Sequence, residues 1–184
     1  MFVGILFSKR AMMHSIIRVI EGLTTRTGFL ISLTIIPLVL TATYEVFARY
    51  VFGAPTIWAY ELGCMITGTH FLIGAAMTLA RDGHVRIDIL YDRLSLKSRA
   101  FVNLAFYVVL FLPFLALLND ALWHYAITAF HSGERSGNSA WNPLIWPFRM
   151  LLAFGFILLA LQVIAECLKS LLTLLNRPYS DVER

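Results

Sequence analysis

Four long apolar runs separated by polar stretches organise the chain, at about 28–48, 58–80, 100–122 and 146–172. A helix needs about 20 apolar residues to cross the hydrocarbon core of a bilayer, and each run meets that length. The pattern predicts an all-α integral membrane protein with four transmembrane helices, forming a single membrane domain over residues 1–184. Pro37 and Pro113 fall inside the first and third runs, where a missing N–H predicts a kink. No internal repeat is visible, which argues against an inverted-repeat transport core in this chain alone.

The flanks add detail. In His14–Leu23, residues Ile16, Ile17, Ile20 and Leu23 share one helical face, while Arg18 and Glu21 fall elsewhere. This predicts a short N-terminal amphipathic helix lying on the membrane surface. Between the third and fourth runs, Ser132, Gly133, Ser136, Gly137, Asn138 and Ser139 predict an irregular outer loop at about 123–145. Asn142–Pro143 marks a turn, and Trp141 and Trp146 sit where an interfacial aromatic belt belongs. The apolar stretch Met1–Phe7 is short and is followed by Lys9 and Arg10, so the first long run is expected to act as an uncleaved anchor.

Composition sharpens the class. Hydrophobic residues make up 59% and charged residues 14% of the chain, far from the roughly one-quarter charged of water-soluble domains. The net charge of +4 does not suggest nucleic acid, because the basic residues flank apolar runs instead of forming a stripe on a soluble fold. Their distribution carries topology. Lys9, Arg10, Arg18 and Arg26 precede the first run; Arg81, Arg86, Arg93, Lys97 and Arg99 lie between the second and third; Lys169, Arg177 and Arg184 close the chain. The other side holds Arg49, Arg135 and Arg149. Four spans place all three basic regions on one side, predicting cytoplasmic N and C termini. Cys64 and Cys167 lie apart in different runs and read as packing residues.

Polar groups inside the runs are the best indicators of function. The third run is uncharged from Phe101 to Leu118, the fourth from Met150 to Ala165, and the first until Glu45. Only Glu61 and His70 intrude into the second. A carrier needs converging polar groups near the midplane, and this chain does not supply them. Arg49 and Glu61 flank the Gly53-Ala54-Pro55 turn, and their proximity predicts an ion pair that clamps the hairpin or docks a partner. Gly63, Thr67, His70, Gly74 and Thr78 form one narrow helical stripe, suited to close helix packing. His70 is also a conceivable axial ligand for haem, with His124 as its only intramembrane companion, at a different depth. Val85, Ile87 and Ile89 alternate with polar residues and suggest an ordered surface segment. His84 and Asp88 lack a third metal ligand, so no metal site is expected.

The run Arg49-Tyr50-Val51-Phe52-Gly53-Ala54-Pro55, followed by Trp58 and Glu61-Leu62, resembles the small membrane subunit (DctQ-like small permease) of TRAP, or tripartite ATP-independent periplasmic, transporters. Gly74-Ala75-Ala76, Arg81, Gly83-His84 and Asp88 continue the pattern in order. The likeness covers roughly Tyr44 to Leu90 and is looser in the outer loop and fourth run. It implies a subunit, not an enzyme, that needs no cofactor. It would sit in the bacterial inner membrane among lipid, pair with a large membrane subunit, and serve sodium-coupled uptake of organic acids such as C4-dicarboxylates from a periplasmic substrate-binding protein. By that likeness Arg49, Trp58, Glu61, His84 and Asp88 are interface or structural motif positions, and Glu134, Arg135 and Arg149 offer a contact for the binding protein. A haem-binding anchor of a redox enzyme and a stand-alone small carrier are the competing readings.

Overall fold

The structure is a computed structural model that describes residues 2–81 and 94–175, with side chains from Ala11 onward. It is built from helices: α1 (Phe2–Ser32), α2 (Ile35–Tyr50), α3 (Ala59–Ala80), α4 (Leu96–Phe106), a π-helical turn (Tyr107–Phe111), α5 (Leu112–Ser132) and α6 (Trp146–Leu174). Four of the resulting helical stretches, Ala11–Tyr50, Ala59–Ala80, Leu96–Ser132 and Trp146–Leu174, are long and apolar enough to cross a membrane. The four expected spans are therefore present, as a bundle in which α6 contacts α1, α3, α4 and α5.

Both intramembrane prolines mark irregularities, each in a different way. Pro37 cannot donate to the Leu33 carbonyl and would clash with it. The helix breaks there: Leu33 and Thr34 form a turn, and Ile36 N donates to Leu33 O at 3.1 Å instead. Pro113 stands just beyond the π turn Tyr107–Phe111, whose wider spacing relieves the same conflict one turn upstream. The N-terminus of α4 is conventional, with Ser95 in extended geometry accepting from Ser98 N at 3.2 Å.

Two expectations need correction. The amphipathic stretch His14–Leu23 is not a separate surface helix but the middle of α1, which continues without a break to Ser32. Its inward face carries Ile17 and Glu21, and with Thr24 these are buried in the bundle. The face expected to be apolar is not, as a whole, the covered one: Ile16 and Leu23 are exposed, and α3 and α6 pack on α1 where Ile17, Glu21 and Thr24 lie. Likewise the outer loop begins later than 123: α5 runs on to Ser132 and stops at Gly133, whose positive φ of 64° forms the left-handed cap. Trp123–Ser132 are helical because nothing before that glycine breaks the helix, whatever the polarity.

The core follows α6. Ile73, Ala76 and Leu79 of α3, Tyr107 of the π turn, Leu115 of α5, and Leu158, Leu159 and Val163 of α6 form one buried apolar cluster. α2 is different. Only Ala48 of this helix is buried, and it packs against α3.

Candidate partner-docking site

The rim of the α2–α3 hairpin is organised by Glu45, not by an Arg49–Glu61 pair. Arg49 Nε and Nη2 donate to Glu45 Oε1 at 2.9 and 2.5 Å. The second carboxylate oxygen accepts from Thr56 N at 2.9 Å and from the Thr56 hydroxyl. Thr56 Oγ1 accepts in turn from Ala59 N at 3.3 Å, at the start of α3. Glu45 and Arg49 are one helical turn apart, so the local pair forms without bridging the turn. Trp58 stacks on Tyr44, with ring centroids 6.0 Å apart. Glu45→Gln is therefore expected to loosen the segment between Tyr50 and Ala59. Limited proteolysis should cut it faster than in the unaltered chain; equal rates would remove Glu45 from this role.

Glu61 is tied elsewhere. Its carboxylate is 4% exposed and accepts from the hydroxyl of Ser139, a residue of the loop between α5 and α6. Its Oε1 is buried without a hydrogen bond among the described residues. Placement in the first turn of α3 gives the carboxylate a favourable helix dipole. The loop is itself ordered: Ser136 N donates to Pro143 O at 3.0 Å and Ile145 N to Glu134 O at 3.1 Å, around an isolated bridge between Arg135 and Leu144. Arg135 is exposed and donates to Asn142 O at 2.9 Å.

Arg149 is not part of a free polar surface. It is 7% exposed and grips Glu134 through two hydrogen bonds of 2.6 and 2.7 Å. Its Nη2 also donates to the Tyr125 hydroxyl at 2.6 Å, so one guanidinium joins α6, the loop and α5. The hydrogen bonds from Arg149, and less its positive charge, hold the Glu134 carboxyl below the usual glutamate range. A depressed folded pKa means stability that is present at neutral pH and disappears as pH falls through and below the ordinary glutamate value. The unaltered chain should thus lose more thermal stability on acidification than Glu134→Gln. Parallel pH profiles of the two would rule the linkage out.

At the opposite end of the bundle lies a polar cluster that the sequence reading missed. Lys169 Nζ of α6 contacts Glu21 Oε1 of α1 at 2.6 Å and Glu166 Oε1 at 2.8 Å. Gln162 Nε2 donates to Glu166 Oε1 at 3.0 Å. Gln162, Glu166 and Lys169 share one face at helical spacing, and that polar periodicity at the end of the fourth run is the signal that marks the cluster in the sequence.

The stripe on α3 is only partly used within the chain. His70 Nδ1 lies 3.2 Å from Ile31 O and 3.3 Å from Thr34 Oγ1, at the break between α1 and α2. Freed helix-end groups there thus have a side-chain partner. A Cβ on Gly63 would meet Leu38 at 3.7 Å, and one on Gly74 would meet nothing within 4 Å. Thr67, His70, Gly74 and Thr78 line a groove open on one side of the α2–α3 pair. The close helix approaches use other glycines: Gly28 against Met77, Gly68 against Phe148, and Gly155 against Leu72. His124 is exposed on α5 beside Asp120 and does not meet His70. Groups of three or more potential metal ligands do not occur among the described residues. His84 and Asp88, like Val85, Ile87 and Ile89, lie outside the described residues.

Membrane-length helices packed on an apolar core, with polar side chains joining them near their ends, define a multi-pass helical membrane protein. The sequence profile described as "Tripartite ATP-independent periplasmic transporters, DctQ component" matches residues 38–173. The chain belongs to this family and is a small membrane component of a TRAP transporter. Comparison with curated proteins gives no match. The family match begins in α2, so Glu21 of the buried cluster lies outside it while Lys169 lies within it.

Proposed function

We propose that the chain is the scaffold subunit that pairs with the large TRAP membrane subunit in sodium-coupled, binding-protein-dependent uptake of organic acids such as C4-dicarboxylates. It would reside in the bacterial inner membrane with both termini cytoplasmic, the orientation that the Lys and Arg distribution favours. The observation that carries the reading is that the buried ion pairs lie toward the two ends of the bundle, with an apolar cluster between them. Around Ile73, Leu115, Leu158 and Val163 the described core is apolar. The polar side chains Thr69 and Gln162 buried beside it are uncharged and already bonded, Thr69 to Met65 O and Gln162 to Glu166, which leaves a carboxylate or a sodium ion no charged group to follow there. Those ion pairs join elements of the bundle, Arg149 to Glu134 and Lys169 to Glu21, while Glu45 ties α2 to Thr56. Arg49, Trp58 and Glu61 shape the hairpin rim, and by family likeness His84 and Asp88 belong to the same interface motif. The open side of the Gly63–Thr78 stripe suits a partner helix, because small residues admit close approach. Arg135, on the ordered loop, is the exposed basic group best placed to meet the periplasmic protein.

Reconstitution in liposomes tests this. Uptake driven by an inward sodium gradient is expected only when this chain, the large subunit and the loaded binding protein are all present. Uptake by this chain alone, or undiminished uptake after it is left out, would overturn the scaffold reading.

A further inference from the structure

Asp120 and His124 project from the outer side of α5 with side chains 77% and 78% exposed, and His124 Nε2 lies 3.7 Å from Asp120 Oδ1. That separation is too long for a hydrogen bond, so the carboxylate keeps its acceptor capacity. Asp120 stands twelve residues before the end of α5 at Ser132, about 18 Å along the helix, and Tyr125 between them bonds Arg149 in the first turn of α6. Asp120 precedes Tyr125 by five residues, which puts it about 7.5 Å nearer the middle of the bundle. Five residues into α6 beyond Arg149 stands Phe154, inside the uncharged stretch of that helix, and Leu151, Phe154 and Ile157 are all exposed. The neighbouring Gly155 packs on Leu72, about halfway along α3. Lipid that bathes Phe154 would bathe Asp120 as well. Ionisable side chains at such depth almost always face protein or a water-filled cavity, not lipid.

Resting on the pairing proposed above, we infer that the Asp120–His124 face of α5 docks a transmembrane helix of the large subunit bearing a basic or hydrogen-bond-donating side chain at this depth. The charge pattern selects the occupant. A carboxylate with open acceptor sites beside an imidazole calls for a donor, which acyl chains do not provide. Phe114 and Leu117, exposed on the same side, supply the apolar contact around it. Positions 117, 120 and 124 follow the spacing of one helical stripe, as a helix-on-helix contact requires.

Co-purification of the full chain with a tagged large subunit is the first test. The unaltered chain and Asp120→Glu are expected to be recovered together with it. The combined Asp120→Leu, His124→Leu variant should be recovered at least tenfold less, although it remains helical and monodisperse when purified alone. Undiminished recovery of that variant overturns the docking face and leaves the pairing standing. Failure of the unaltered chain to co-purify overturns both. A second measurement is independent of variant folding. Leu117→Cys, in a chain carrying Cys64→Ala and Cys167→Ala, is labelled with a fluorophore in vesicles of lipids with brominated acyl chains. Quenching should fall at least threefold when the large subunit is present. Equal quenching in both samples overturns the inference and assigns the face to lipid.

Discussion

Lys169→Met should destabilise the chain by about 3–5 kcal/mol, the usual cost of removing one partner from a buried ionic group. Lys169 is the cation shared by Glu21 and Glu166, whose side chains are 9% and 10% exposed. Methionine keeps the volume and the apolar stem but removes the charge. Both carboxylates then stay in a poorly solvating site, one on α1 and one on α6, and the two helices are expected to part at this end. Unfolding in detergent micelles, followed by circular dichroism, reads the effect. Adding Glu21→Gln and Glu166→Gln to Lys169→Met should restore a large share of it, since a neutral amide needs no counter-charge. The amide oxygen that Glu166→Gln introduces can still accept from Gln162. An unchanged midpoint for Lys169→Met would show that the cluster does not hold these helices together.

The second large effect is steric. Gly28→Ala should cost about 1–3 kcal/mol, the range for overpacking a filled site. A Cβ at position 28 would meet Met77 Cβ at 2.7 Å and Cγ at 2.9 Å, besides its sulfur. Because the nearest carbons belong to the stem of Met77 and not to its flexible tip, α1 and α3 must separate. Met77→Ala should recover only part of the loss, because it removes the sulfur and Cγ but keeps the Cβ at 2.7 Å. Gly74→Ala supplies the contrast, since nothing lies within 4 Å of the added atom. Free of the partner, it should be neutral or stabilising by up to about 1 kcal/mol, because alanine favours the helix over glycine. Equal losses at positions 28 and 74 would refute the assignment of close packing to α1–α3.

Much of the architecture was legible because lipid imposes simple rules. A run long and apolar enough to span, with few charges, has one stable backbone solution as a helix, and all four runs are helical. The prolines announced irregularities, and Pro37 and Pro113 each stand beside one. The hairpin motif around Arg49, Phe52-Gly53 and Trp58 pointed to the family that the match over residues 38–173 establishes. The side-chain pairings were less accessible. Arg49 and Glu45 are one turn apart, so their pair follows from helical spacing, yet Glu61 competes for the same guanidinium in any reading that judges proximity across the turn. Ser139 meets Glu61 from a distant part of the chain, and no local rule anticipates such a contact.

The sequence by itself determined that the chain crosses the membrane as helices, how many apolar runs do so, and which family it joins. The tertiary structure alone decided which faces they turn to one another. In water, polar and apolar stripes distinguish outside from core, but in a bilayer both the packed and the lipid-facing sides are apolar, so hydrophobic periodicity loses its meaning. Only the packed bundle shows that Gly28 and Gly155 are contact points while Gly74 faces open space. It likewise shows Arg149 and Lys169 closing the bundle from within while Asp120 looks outward.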